Sequence, residues 1–142
     1  MTGADTEEDA LIRQLVDLAH PAGRDATFAA AIVRTGRVVS IETNAVLTSV
    51  DPTAHAEVQA IRTACRRLST LDLTGATLYT SCEPCLMCLG AIAWAGITDV
   101  AYVDGIETAT EFGVFELFPE GSYHAELLPV RLRKLAASDA HR

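Results

Sequence analysis

Apolar residues recur at helical spacing through Leu11, Leu15 and Leu18, with Ile12 and Val16 filling the same face. This pattern predicts a helix that opens near Thr6, where Asp9 completes a weak capping box, and runs to about His20. Pro21, Gly23 and Asp25 then break it. Phe28 to Val33 is a continuous apolar run, and Arg37 to Ile41 is rich in β-branched residues. Thr35-Gly36 between them reads as a turn, so the two runs are expected to form a β-hairpin.

Asn44 to Thr53 reads as a loop closed by Asp51-Pro52, with Thr53 capping a helix from about Ala54 to Leu68. Thr74-Gly75 marks a turn, Ala76 to Thr80 a short strand, and Ser81 to Glu83 a loop. Pro84 suits the first turn of a helix, because its missing N–H has no partner to lose there. That helix should run to Ala95 and stop at Gly96, with a strand from Val100 to Val103. Further on, Glu107 to Phe112 reads as a helical turn and Glu116 to His124 as a loop. Leu127 to Val130 reads as a last strand and Leu132 to Ala137 as a short terminal helix. The order predicts an α/β sandwich in a single domain over residues 1–142, a mixed sheet with helices on its faces. Ala76 to Val103 should make a right-handed parallel crossover.

The charge balance narrows the partners. Eleven Lys and Arg against nineteen Asp and Glu leave a formal net charge of −8, a field that repels phosphate backbones. Arg62, Arg66 and Arg67 share one predicted helix and read as a solvated face, so a nucleic-acid partner is not expected. Residues 2–9 are acidic and polar where a secretory leader needs a basic stretch and an apolar run. The apolar stretch from Leu86 to Ile97 is too short to span a bilayer. The expectation is a cytoplasmic protein without a membrane partner.

Candidate chemistry gathers in two short segments, His55-Ala56-Glu57 and Pro84-Cys85-Leu86-Met87-Cys88, each expected to open a helix. Cys85 and Cys88 stand one helical turn apart and project from one face. A helix N-terminus lowers thiol pKa and favours the thiolates a metal needs. With His55 they offer three ligands to one Zn2+, leaving a tetrahedral ion a fourth position for water, as catalytic sites do. Water so bound ionises near neutral pH. Glu57, two residues from the imidazole, is then placed to take a proton and pass it on. Two other readings fit the same residues. A fourth ligand from Cys65, Cys82 or His124 would make the zinc structural, and the Cys-x-x-Cys pair alone could be redox-active.

The H-x-E and P-C-x-x-C signature resembles that of the cytidine deaminase-like zinc deaminases. Asp51-Pro52-Thr53-Ala54-His55-Ala56-Glu57 and the run from Tyr79 to Ile92 are similar to bacterial guanine deaminases and to the related cytosine and tRNA adenosine deaminases. The resemblance extends roughly from Phe28 to Val103. It implies a three-layer α/β/α sandwich on a mixed five-stranded sheet, and hydrolytic deamination of a free base or nucleoside, guanine or a related aminopurine before cytosine. His55, Cys85 and Cys88 would hold the zinc and Glu57 would shuttle protons. Asn44 would hydrogen-bond the substrate, the backbone at Ala56 and Ser81 would line the pocket, and Phe28 would form its wall. Cys82 would lie near the metal without binding it. A homodimer is implied by the same analogy.

Two departures stand out. Thr27-Phe28-Ala29-Ala30 replaces the Pro-Phe-Gly-Ala usual in guanine deaminases, and Cys82 stands where tRNA adenosine deaminases tend to have leucine. After Val103 the resemblance fades, and Glu107, Glu111, Phe112, Phe115 and Phe118 are the candidates for a lid that selects the substrate.

Overall fold

A computed structural model describes residues 6–19, 27–105 and 128–135. The first helix, α1 (Glu7–Ala19), opens on the expected capping box. The Asp9 N–H donates to Thr6 Oγ1 at 3.0 Å, and the Thr6 N–H donates to Asp9 Oδ2 at 3.0 Å. A hairpin follows, β1 (Ala29–Arg34) and β2 (Arg37–Thr43), paired antiparallel. Thr35 and Gly36 both take positive φ in its turn, which suits the right-handed twist of a two-residue hairpin.

The remaining elements are a one-turn helix α2 (Val46–Ser49), α3 (Ala56–Leu68), β3 (Thr77–Cys82), α4 (Leu86–Trp94), β4 (Asp99–Asp104) and β5 (Arg131–Lys134). The strands form one mixed sheet in the order β2-β1-β3-β4-β5. β1 and β3 run antiparallel, whereas β3, β4 and β5 are parallel, so β3-α4-β4 is a parallel crossover.

Small residues let the layers close on the sheet. Ala29, Ala30 and Ala31 of β1 are all fully buried between its neighbours. Alternate strand residues face opposite ways. Leu11, Leu15 and Ala19 of α1 pack on Ala29 and Ala31, while Ile12 meets Ala101 and Val103. On the other face, Ala56, Ala60 and Ala64 form a stripe down α3 that packs with Ala30, Ile32, Leu78 and Ile92. Three polar tethers hold α3 to β2. Ser40 Oγ donates to the Ala60 carbonyl at 2.8 Å, Thr63 Oγ1 to Glu42 at 2.8 Å, and Arg67 to the Val39 carbonyl at 2.7 Å. The result is a three-layer α/β/α sandwich.

Several boundaries differ from expectation. The chain from Asn44 to Thr53 holds the single turn α2, ended by Val50 at φ 50°. Thr53 is not the cap of α3; its N–H and hydroxyl both go to Asp51, and His55 takes the N-cap position. β3 continues through Ser81 and Cys82, because Cys82 still pairs with Asp104. α4 begins at Leu86 with Cys85 as its N-cap, so Pro84 lies ahead of the first turn. The last described strand is Arg131–Lys134, where a helix from Leu132 was expected; parallel pairing of Arg131 with Asp99 and Leu132 with Val100 overrides a weak local signal. The expected turn at 107–112, the loop at 116–124 and the five lid candidates lie outside the described residues. No helix among the described residues is long and apolar enough to cross a membrane.

Candidate metal centre

Two helices on the same face of the sheet begin at one place. His55 is the N-cap of α3 and Cys85 the N-cap of α4, each in extended backbone and neither capping its helix with its side chain. Pro84, fully buried, restricts Glu83 to extended backbone and so carries β3 straight into the α4 cap. Cys88 follows in the first turn of α4, fully buried, and Glu57 in the first turn of α3, at 6% exposure.

His55 Nδ1 lies 3.6 Å from Cys85 Sγ and 3.6 Å from Cys88 Sγ. All three ligand atoms lie within 4.8 Å of one another. With Zn–N near 2.05 Å and Zn–S near 2.3 Å, a tetrahedral zinc would separate nitrogen from sulfur by about 3.6 Å. The donor set therefore fits zinc in both chemistry and spacing. Cys65 and Cys82 stand outside this group, and Cys82 instead donates its S–H to the Gly105 carbonyl at 3.7 Å. His124 lies outside the described residues.

The electrostatics are those of a shared proton. Cys88 donates to Cys85, and this bond holds the Cys85 thiol down at about 4 against the upward push of burial, with His55 helping. The same donation, reinforced by burial, pushes Cys88 well up. Burial pushes Glu57 up to about 7, and the charge on Cys85 adds to it. A divalent cation between the sulfurs would reverse the local field, ionising both thiols and lowering Glu57.

The other expected site residues are placed as follows. Asn44 Oδ1 accepts the Phe28 N–H at 2.8 Å, extending the β1–β2 pairing by one rung. Its amide is thereby oriented, leaving the NH2 donors for any ligand acceptor. Phe28 is half-buried and packs against the core that contains Ala56. Ser81 is buried, and its Oγ accepts the Ala29 N–H at 3.0 Å. What the sequence reading passed over is the role of Asp51 in shaping the turn before His55. The signal was present, since Asp-x-Thr is a common side-chain turn.

Residues 5–104 match the family described as the cytidine and deoxycytidylate deaminase zinc-binding region. The chain belongs to that deaminase family. Within it, the chain is 50% identical over 97 residues to guanine deaminase of Bacillus subtilis, an overlap of 68% of this chain and 62% of that one. It is 47% identical over 73 residues to the tRNA-specific adenosine deaminase of Aquifex aeolicus, covering 51% and 48%. The chain thus spans between 48% and 62% of the length of these curated relatives. The X-ray structure of the Bacillus subtilis guanine deaminase superposes with a TM-score of 0.70 at 45% identity, over 77% of this chain and 71% of that one. The five-stranded mixed sheet is the cytidine deaminase fold of this family.

Proposed function

We propose that the chain is a zinc-dependent hydrolase that deaminates a free nucleobase or nucleoside, with guanine or a related aminopurine favoured and cytosine next. The observation that carries this reading is a buried acid, Glu57, beside a three-donor metal cluster that no fourth donor among the described residues joins. Zinc, when bound there by His55, Cys85 and Cys88, supplies the Lewis acidity that makes water a nucleophile near neutral pH. In the reaction a C–O bond forms at the ring carbon bearing the amino group and the C–N bond breaks, releasing ammonia. Glu57 takes the proton of the attacking water, delivers it to the ring nitrogen, and serves the leaving amine in turn. The NH2 of Asn44 donates to a carbonyl or ring nitrogen of the base, and the backbone at Ala56 and Ser81 borders the ring, with Phe28 as wall. One zinc per chain suffices for this chemistry.

The guanine preference rests on similarity to the Bacillus subtilis enzyme. Similarity to tRNA-specific adenosine deaminases supports a second reading, editing of a flipped-out adenosine in RNA. The net charge of −8, with Lys134 as the only lysine, weighs against it. Ammonia release from zinc-loaded protein, measured over guanine, other bases, nucleosides and an unmodified tRNA, decides between them. Turnover of guanine is expected. Salt-dependent activity on the tRNA alone would replace the first reading with the second, and no turnover of any substrate would leave a zinc-stabilised binding module. A homodimer is also proposed, because α4 carries no charged residue yet leaves Trp94 92% exposed. A single-chain mass in sedimentation equilibrium would remove it.

A further inference from the structure

His55 stands outside the body of α3. As N-cap it has φ −68° and ψ 157°, so its backbone continues the turn that leads into it and is not part of the helix. That turn is organised around one carboxylate. Asp51 Oδ1 accepts the Thr53 N–H at 2.8 Å and the Thr53 hydroxyl at 2.7 Å. Its other oxygen receives Arg62 NH1 at 3.4 Å. Arg62 sits two turns along α3, and it also reaches Thr53 Oγ1 at 3.4 Å and Gln59 Oε1 at 3.0 Å. Backbone bonds complete the clasp: the Ala54 N–H to the Asp51 carbonyl at 3.2 Å, and the His55 N–H to the Thr53 carbonyl at 2.8 Å.

We propose that Asp51, clamped by Arg62, is a positioning residue for the metal centre: it fixes the turn that aims the His55 imidazole at Cys85 and Cys88. The inference rests on the reading that His55 ligates zinc. Rings held in place by supporting hydrogen bonds bind metal more tightly, because the ligand does not have to be ordered when the ion arrives. Here the support acts through the backbone of the ligand, and the carboxylate touches neither the ring nor a substrate.

The chain contains its own control. Asp72 makes the same pair of bonds to Thr74, taking its N–H at 2.9 Å and its hydroxyl, in a turn beside the far end of α4. Removing either carboxylate opens an Asp-x-Thr turn, but only one of the two turns leads into a metal ligand.

Zinc affinity is read by competition with a chromophoric chelator, and ligand geometry by the visible absorption of the Co2+-substituted protein. Asp51→Ala is expected to weaken zinc binding about 10–100-fold and to alter the cobalt bands. Asp51→Asn, which keeps the acceptor for Thr53, recovers most of the loss, and Asp72→Ala leaves affinity and spectrum unchanged. Should Asp51→Ala not fold, Thr53→Val removes one of the two bonds and Thr53→Ser restores it, with affinity following. Equal affinity in Asp51→Ala and wild type, no recovery in Asp51→Asn, or an equal loss in Asp72→Ala each overturn the proposal while leaving the zinc reading intact. A wild-type protein that binds no zinc overturns both.

Discussion

Glu57 is an ionisable group placed where ionisation is costly: in the first turn of α3, 6% exposed, with burial pushing its carboxyl up to about 7. A carboxylate that only balanced charge would be better solvated, and one that ligated the metal would belong with the three donors that cluster, which it does not. Its buried place beside the three donors suits a group that accepts a proton and returns it within the site. Glu57→Ala is therefore expected to lower kcat by about 10²–10⁴-fold, the usual contribution of a positioned acid–base group. Zinc content, measured by elemental analysis, should stay at the wild-type value, because His55, Cys85 and Cys88 remain. An active Glu57→Ala protein, or one that loses its zinc, would take the proton shuttle away from this residue.

At the scale of elements, the end of α4 depends on a residue without a side chain. Gly96 has φ +83°, and a Cβ there would sit 2.9 Å from Thr74 Oγ1 and 3.1 Å from Asp72 Oδ1. Thr74 and Asp72 are bonded to each other and cannot easily retreat. Gly96→Ala should therefore cost about 2–3 kcal/mol by denaturant unfolding, from strained backbone plus crowding. Gly90→Ala, mid-helix with nothing within 4 Å of the added carbon, should cost nothing or slightly stabilise; equal losses at both positions would refute the crowding argument. The same elements show which parts of the fold were readable from sequence. The periodic apolar faces of α1 and α3, the capping box and the Thr35-Gly36 turn are local, and local chemistry determines them. His55, Cys85 and Cys88 were readable as one cluster of donors because each lies at or beside a helix start, although the two segments are thirty residues apart. β5 was not: Arg131-Leu132-Arg133-Lys134 is too short to show a period, and the salt bridge from Arg131 to Asp99 at 2.8 Å is a long-range fact. The Asp51–Arg62 clamp escaped for the same reason, since it exists only once α3 brings residue 62 back over the turn.

For the whole molecule, the metal centre is a junction. It joins the starts of α3 and α4, two helices that also pack together in one core cluster, and it sits where the chain brings together three donors and a buried acid. Zinc binds the folded arrangement and has no comparable site in the unfolded chain, so its binding free energy adds to folding. With free zinc at about a thousand times its dissociation constant the gain is about 4 kcal/mol. For a chain of about this length each kcal/mol moves the midpoint by about 2–4 °C, so stripping the metal should lower Tm by roughly 10 °C. Calorimetry of zinc-loaded protein, of the same protein after chelation and dialysis, and of His55→Ala measures this directly. The chelated protein and His55→Ala should melt together at the lower temperature, and added zinc should restore only the chelated wild type. If elemental analysis confirms that zinc has gone and Tm has not moved, the ion does not tie α3 to α4, and the stability of the sandwich comes from its apolar layers alone.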